Sequence, residues 1–127
     1  MSDEIDLDRQ WLGLERLQDT ILAWQKNNFP DCQVLELALG VCEEAGELAQ
    51  CVLKLHRGMR AAEFDEARLA DAVGDVVVYL IGLCGAKGWR LSSVLRATSE
   101  RVTARNWNSQ VDSRTDSLPD PSTPERV

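Results

Sequence analysis

The sequence has no excess of positive charge. Its 127 residues include 14 Lys and Arg against 21 Asp and Glu, which gives a formal net charge of −7. A protein that binds the phosphate backbone of a nucleic acid needs a basic surface, so the composition argues against a nucleic-acid polymer as partner. A small anionic ligand that carries its own metal ion remains compatible, because the metal reverses the local sign of the charge.

Long hydrophobic runs are also missing. The longest, residues 76–86, is about half of the roughly 20 residues that a membrane span requires. The acidic N-terminal segment, residues 1–6, has no apolar stretch of the kind found in secretory signals. We therefore expect a cytoplasmic protein without a membrane partner.

The usual signatures of several other sites are absent. Cys32, Cys42, Cys51 and Cys84 have no CxxC spacing, which favours reduced core cysteines over disulfides or a zinc site. The single histidine, His56, is not part of a Glu-x-x-His pair, so a ferritin-like di-metal site is disfavoured. A GxxxxGK[ST] loop is lacking, which excludes P-loop hydrolysis.

Helical periodicity, by contrast, is present along most of the chain. Apolar residues recur at helical spacing in four segments that Pro30, Gly58 and Gly88 separate. The predicted helices span residues 8–27, 33–56, 65–87 and 92–107. Asp31 or a nearby polar residue is predicted to cap the start of the second helix, and Ser92 the start of the fourth, whereas His56 is predicted to cap the second helix at its C-terminal end. Strand patterns and internal repeats are lacking, so we predict an all-α four-helix bundle.

The C-terminal segment differs in composition from the rest. Residues 111–127 hold three of the four prolines and few apolar groups. Such a segment cannot offset its ordering entropy by burial. We therefore predict one domain over residues 1–110, followed by a disordered tail.

Two of the predicted helices are unusually apolar. Residues 76–86 are apolar on all sides, which predicts a central core helix, and the second helix is apolar over more than half of its wheel. One layer of four helices would leave part of this surface exposed, beyond the few hundred Å² usual for a monomer. We therefore predict a homo-oligomer, most simply a two-fold dimer.

The same two helices carry two acidic motifs. Glu43, Glu44 and Glu47 crowd into five residues, and Asp71 and Asp75 lie one turn apart about 30 residues later. Like charges at these spacings repel. An oxygen-rich cluster of this kind suits a hard cation such as Mg²⁺ or Mn²⁺. The alternative is a solvated acidic helix face, but two such motifs on mostly apolar helices favour a metal site.

A glycine precedes the last acid of each motif. Glycine costs about 1 kcal/mol in a helix interior, so Gly46 and Gly74 indicate close helix approach or access for a ligand. Asp75 directly precedes the apolar run, and a charge there is costly unless it is paired or bound to a metal.

With these motifs the chain resembles the MazG-like nucleotide pyrophosphohydrolases of the all-α NTP pyrophosphatase superfamily. Their signature is EExxE on one helix and ExxD on the next. Residues 43–47 match the first motif and Asp75 matches the aspartate of the second, within a resemblance that covers about residues 11–107. The glutamate of ExxD falls on Ala72, and Asp71 is the nearest acid.

The resemblance implies Mg²⁺-dependent cleavage of a nucleoside triphosphate between its α- and β-phosphates. The products would be a nucleoside monophosphate and pyrophosphate. Glu44, Glu47 and Asp75 would bind the metal, with Glu43 and Asp71 as further ligands or as supports of the ligands. Either Glu43 or Glu44 would serve as general base. The change at Ala72 leaves the number of metal ions open.

Other residues are candidates for binding the substrate. Basic residues near the motifs or late in the fourth helix could bind phosphate oxygens, although surface salt bridges are the alternative for each. Two aromatic residues could stack on a base, although packing is the alternative. The candidates are Lys54, Arg57, Arg60, Arg101 and Arg105 for phosphate, and Trp24, Phe29 and Asn106 for the base.

Three functions remain open on the sequence alone. The first is the pyrophosphohydrolase. The second is a MazG-like module that binds a nucleotide or metal without turnover, and the third is a purely structural helical protein. The resemblance also implies a homodimer or homotetramer with sites near subunit interfaces, where Arg101 or Arg105 could complete a neighbouring phosphate site.

Overall fold

A computed structural model describes residues 2–58, 66–106 and 108 of the chain, and its regular structure is entirely α-helical. The helices are α1 (Ser2–Asn28), α2 (Val34–His56), α3 (Glu66–Ala86) and α4 (Leu91–Thr103). This confirms the predicted all-α class. The tail predicted for residues 111–127 lies outside the described residues.

Two compact units divide at Val94 and Leu95. In the first unit, α3 packs against both α2 and α1, and the first turn of α4 follows it. The rest of α4 belongs to the second unit. Both acidic motifs lie in the first unit.

The ends of α2 and α3 follow the local chemistry of the sequence. At the start of α2 the carboxylate of Glu36 accepts the backbone N–H of Gln33 at 2.8 Å, so the N-cap is Gln33, one of the polar residues near Asp31 for which this role was predicted. Gly58 and Gly88, which follow α2 and α3, have φ of 66° and 70°. This left-handed backbone favours glycine, which explains why both helices stop there.

The start of α4 depends on α1. The buried side chain of Gln18 accepts the backbone N–H of Leu91 at 2.8 Å and donates to the carbonyl of Trp89 at 2.9 Å. The hydroxyl of Ser92 donates to Glu15 at 3.0 Å. The prediction of Ser92 as N-cap is therefore wrong, because its hydroxyl bonds to α1 and the helix begins one residue earlier.

The core of the first unit lies between α1 and α3. Ile81, Cys84 and Leu91 are buried there, and Leu14, Ile21 and Leu22 pack around them. Cys51 is buried as well, and none of the four cysteines forms a disulfide. The prediction of core cysteines is confirmed for Cys51 and Cys84 and is wrong for Cys42, which is exposed.

Three glycines allow the helices to approach closely. A Cβ atom at Gly40 would collide with the ring of Tyr79, and one at Gly85 would collide with the side chain of Leu22. At Gly82 it would lie 2.8 Å from the amide oxygen of Gln25. Bringing α3 this close to its neighbours requires the absence of a side chain at these positions.

The two motif glycines have a different environment. A Cβ atom at Gly46 or Gly74 would meet no described atom within 4 Å. The prediction of close helix approach at these two glycines is therefore wrong, because the close contacts lie at Gly40 on α2 and at Gly82 and Gly85 on α3. Access for a ligand remains as the explanation of a glycine beside each acid.

The contacts of Gly40 and Gly82 set the register of α2 against α3. Gly82 faces Leu37, and Gly40 faces Tyr79. Three residues forward on α2 therefore correspond to three residues back on α3, as in an antiparallel pair. Continued by one more turn, this register brings Glu44 of α2 to Asp75 of α3.

Much of the apolar surface of α3 is not covered in one chain. In its second half Ile81, Gly82 and Cys84 are buried, whereas Val77 and Leu80 are more than a third exposed. The prediction of a helix buried on all sides is therefore wrong for the single chain, since α1 and α2 cover only part of its circumference. By length and composition α3 could also cross a membrane, a test that the core helix of a soluble protein passes too.

Candidate functional site

Glu44 is the most unusual ionisable residue of the described structure. Its Oε2 atom is buried and has no hydrogen-bond partner among the described residues. Burial raises the pKa of Glu44, and the neighbouring carboxylates of Glu47, Asp75, Glu43 and Asp71 raise it further. A buried carboxylate oxygen without a partner is costly, so this position favours a proton or a cation.

The packing of α2 against α3 explains why five acids meet here. The antiparallel register brings Asp75 to Glu44 across the interface. Glu47 lies about one turn further along α2, and Asp71 lies one turn back along α3, so both motifs converge on the same stretch. Four of the five predicted metal-site residues thus lie close enough to raise the pKa of the fifth, Glu44.

The burial of these residues differs from the prediction. Asp75, which was predicted to be costly because of burial, is exposed, as are Glu43, Glu47 and Asp71. The buried oxygen belongs instead to Glu44, which lines the cavity together with Asp75. The electrostatic cost of the cluster is therefore concentrated on one residue.

The carboxylates do not form a finished coordination shell. Within residues 8–58 and 66–106, no three His, Cys, Asp or Glu side chains are arranged to hold a metal ion. The chemistry of the donor set nevertheless fits a hard cation, since it consists of carboxylate oxygens around one buried, unpartnered oxygen. Glu43, Glu47, Asp71 and Asp75 are exposed, so their side chains can change rotamer at low cost.

Ala72 marks the departure from the ExxD pattern. Its side chain is buried, whereas the neighbouring Asp71 is exposed. A glutamate at position 72 would start from the protected side of α3, but the carboxylate of Asp71 approaches from the solvent side. Asp71 still raises the pKa of Glu44, so it contributes to the local field although it does not occupy the same place.

A cavity of about 650 Å³ adjoins the carboxylates. Glu44 and Asp75 form part of its wall, and Trp24 and Phe29 form another part. The volume lies within the range of about 300–1,000 Å³ that is typical of small-molecule sites. The acidic cluster is therefore next to a space that can hold a ligand of the size of a nucleotide.

The aromatic part of the wall is a pair of rings. Trp24 of α1 and Phe29 of the following loop meet edge to face, with their centroids 5.7 Å apart and their planes at 68°. Both side chains are about half exposed, at 52% and 56%. Aromatic residues that remain half exposed beside a cavity offer a surface for stacking.

Several polar residues of the cavity were not predicted from the sequence. They are Gln25, Asp31, Cys32, Glu36 and Tyr79. Burial, followed by the charge and hydrogen bond of Glu36, raises the pKa of the Cys32 thiol, and a hydrogen bond from Gln25 acts in the opposite direction. Two of these residues could have been found from their positions in the sequence, because Gln25 follows the predicted site residue Trp24 and Tyr79 lies one turn after the predicted site residue Asp75.

The predicted phosphate-binding residues are less well placed. Lys54 is half-buried late in α2, and Arg57 is exposed at the end of that helix, where its backbone N–H donates to Leu53 at 3.0 Å. Neither residue lines the cavity. His56 is exposed beside Arg57, which occupies the C-cap position that was predicted for the histidine. Arg60 lies outside the described residues.

The remaining predicted residues belong to the second unit. These are Arg101 at the end of α4, and Arg105 and Asn106 just beyond it. The side-chain oxygen of Asn106 accepts the backbone N–H of Asn108 at 3.1 Å. Their assignment to a substrate site therefore remains a prediction from the sequence.

Comparison with protein-family profiles, curated proteins and solved structures gives no match for this chain. The likeness to MazG-like enzymes therefore depends on the two acidic motifs and their helical setting.

Proposed function

We propose that this chain is a Mg²⁺-dependent nucleoside triphosphate pyrophosphohydrolase. It would cleave the α–β phosphoanhydride of a ribo- or deoxyribonucleoside triphosphate and release the monophosphate and pyrophosphate. The observation that carries the proposal is the buried, unpartnered oxygen of Glu44 among four other carboxylates, at the wall of a cavity large enough for a nucleotide.

The metal assignment follows from the donor chemistry. Glu44, Glu47 and Asp75 would hold Mg²⁺, or Mn²⁺ in its place, with Glu43 and Asp71 as further ligands or as supports of the ligands. When bound, the ion would supply positive charge to neutralise the phosphates and lower the pKa of a coordinated water. Binding would also relieve the mutual repulsion that raises the pKa of Glu44.

The protein would contribute orientation and a proton acceptor. Trp24 and Phe29 would hold the base, which places the phosphates towards Glu44 and Asp75. In the reaction, a water oxygen bonds to a phosphorus atom of the α–β linkage as the bond from that atom to the bridging oxygen breaks. The proton of the water passes to Glu43 or Glu44 acting as general base.

A homo-oligomer, either a dimer or a tetramer, is part of the same proposal. Apolar side chains remain exposed along both helices that carry the acidic motifs. They include Leu35, Leu39 and Val52 on α2, and Val73, Val77 and Leu80 on α3. A second copy would cover this surface, and its Arg101 or Arg105 could then reach phosphate oxygens. We assign this assembly to the cytoplasm.

The direct test is a panel of nucleoside triphosphates with and without Mg²⁺. We expect release of pyrophosphate that requires the metal and that falls by about a hundredfold or more in Glu44→Gln, which keeps the shape but removes the charge. Glu66→Gln is a matched control, because Glu66 is an exposed carboxylate in the first turn of α3, outside the cavity. If no nucleotide of the panel releases pyrophosphate in the presence of Mg²⁺, the proposed enzymatic activity is wrong.

A second candidate is a module that binds a nucleotide or metal without turnover. The buried Ala72 favours it, because one carboxylate of the ExxD pattern is missing from this position and the nearest acid, Asp71, is exposed. Metal binding without release of pyrophosphate would select this module, whereas Asp71→Ala tests whether Asp71 replaces the missing glutamate. If Asp71 substitutes for the missing glutamate, this change costs as much activity as Asp75→Ala, whereas wild-type turnover in Asp71→Ala shows that the substitution argument is wrong.

A further inference from the structure

We propose that the cavity selects nucleobases that carry an exocyclic amino group, as cytosine and adenine do, over those with a carbonyl at the same position. This inference rests on the proposed function, since it takes the ligand to be a nucleotide. It adds the substrate class, which the acidic motifs alone do not determine.

The cavity extends along α2. Glu44 and Leu37 both line the cavity, and Leu37 lies two turns earlier on the same helix. Seven residues of helix correspond to roughly 10 Å. This is comparable with a nucleoside monophosphate measured from its phosphorus atom to its base. With the phosphates at Glu44 and Asp75, the base therefore reaches the end where Trp24 and Phe29 lie.

Stacking at that end does not choose between bases. Every base has a π-face, so contact with the rings of Trp24 and Phe29 stabilises all of them to a similar degree. Selection must come from the polar groups that meet the edge of the base. Beside Leu37 the cavity wall has the amide of Gln25, the thiol of Cys32 and the carboxylates of Asp31 and Glu36, whereas Tyr79 packs against Gly40, nearer to Glu44.

The polar edge is dominated by hydrogen-bond acceptors. Ionised carboxylates accept but cannot donate. The carboxylate of Glu36 accepts the backbone N–H of Gln33 at 2.8 Å and also a hydrogen bond from the thiol of Cys32, which together fix the position of the side chain. A carboxylate has about four acceptor sites, so Glu36 retains the capacity to bind a further donor. Asp31, in the loop before α2, adds a second carboxylate to the same wall.

A wall with two carboxylates should bind cytosine more tightly than uracil. Cytosine presents an N4 amino group, which donates to a carboxylate, whereas the corresponding O4 of uracil or thymine is an acceptor that a carboxylate repels. The same contrast separates the 6-amino group of adenine from the 6-oxo group of hypoxanthine. A single contact of this kind typically changes selectivity by about tenfold or more.

The test compares matched substrates that differ at this one group. We expect kcat/KM with Mg²⁺ to be about tenfold higher for dCTP than for dUTP, and likewise higher for ATP than for ITP. Glu36→Gln and Asp31→Asn are isosteric and each introduces an amide donor, so they should bring the ratio towards one, with dUTP gaining. The amide oxygen of Gln at position 36 can still accept the N–H of Gln33, which preserves the start of α2. Glu66→Gln, outside the cavity, should leave the ratio unchanged.

The outcomes separate this inference from the proposed function. Hydrolysis that is equal for dCTP and dUTP, or faster for dUTP, overturns the base selection and leaves the pyrophosphohydrolase intact. If no nucleotide is hydrolysed, the affinities for dCMP and dUMP, measured by calorimetry, test the base selection. Tighter binding of dCMP, lost in Glu36→Gln, supports the selection in a non-catalytic module, whereas equal binding or none overturns it.

Discussion

Two buried polar side chains in the first unit differ in how their hydrogen bonds are satisfied. Gln18 is fully buried, and both atoms of its amide have partners, one in Trp89 and one in Leu91. Glu44 buries an oxygen that has no partner among the described residues, beside carboxylates that oppose its charge. The first arrangement is what a structural role requires, and the second is stable only when a ligand or a proton completes it.

The difference between Gln18 and Glu44 indicates that one part of the first unit stabilises the fold and another part is suited to binding a ligand. The junction of α1 with the start of α4 is held by neutral hydrogen bonds and by the ion pair between Arg90 and Asp19 at 2.7 Å. The interface of α2 and α3 carries an electrostatic cost that packing alone does not relieve. We therefore expect substitutions at the two places to act in opposite directions on stability.

The largest expected effect is the loss of Gln18. In Gln18→Ala the N–H of Leu91 and the carbonyl of Trp89 lose their partners and a void remains, which we expect to lower the free energy of unfolding by about 3 kcal/mol. Urea titration measures this. Gln10→Ala, at an exposed position of the same helix, should change stability by less than about 0.5 kcal/mol. A loss in Gln18→Ala no larger than in the control would show that the junction does not stabilise the fold.

The comparison also shows which parts of the structure could be predicted from the sequence. The bounds of α2 and α3 were predicted to within one residue, because apolar periodicity and the glycines at positions 58 and 88 are local signals. The start of α1 was placed too late, since residues 2–7 are acidic and lack that periodicity. The end of α4 was placed too far, and Trp107 lies outside the described residues.

The candidate site was predictable only in part, because a sequence pattern indicates local features and does not specify how separate segments pack. Glu44 and its neighbouring acids form two local motifs, so the sequence alone indicated them. The wall formed by Gln25, Cys32 and Glu36 depends on the packing of three segments, which no local pattern specifies. The register that joins Glu44 to Asp75 depends in turn on which glycines the neighbouring side chains pack against, and these were not the two that the motifs suggested.

A smaller effect is expected from the metal. Because an ion would bind the folded chain and not the unfolded one, millimolar Mg²⁺ or Mn²⁺ with nucleotide should raise the thermal midpoint of the wild type by a few degrees. Glu44→Gln should lose most of this rise, whereas Gln10→Ala should retain it. A midpoint that does not respond to either metal in the wild type would count heavily against the carboxylates as ligands.

The smallest expected effect is on the pH dependence of stability without metal. Burial and the neighbouring carboxylates raise the pKa of Glu44 above 4.5, the value assigned to an unperturbed glutamate, so between 4.5 and the raised value the folded chain binds more protons than the unfolded one. The free energy of unfolding must then fall as pH rises through this window and stay reduced above it.

Glu44→Gln removes that titrating group, so the wild type should lose stability relative to the variant as pH rises from 4.5, and the difference should level off at higher pH. Urea titrations of both proteins across this range, in the presence of a chelator, provide the measurement, and Glu66→Gln serves as the control for removing a carboxylate elsewhere on α3. A difference between wild type and Glu44→Gln that is independent of pH would mean that Glu44 is as well accommodated as Gln18. The contrast between the two buried side chains would then disappear, and with it the main structural support for a cation at this position.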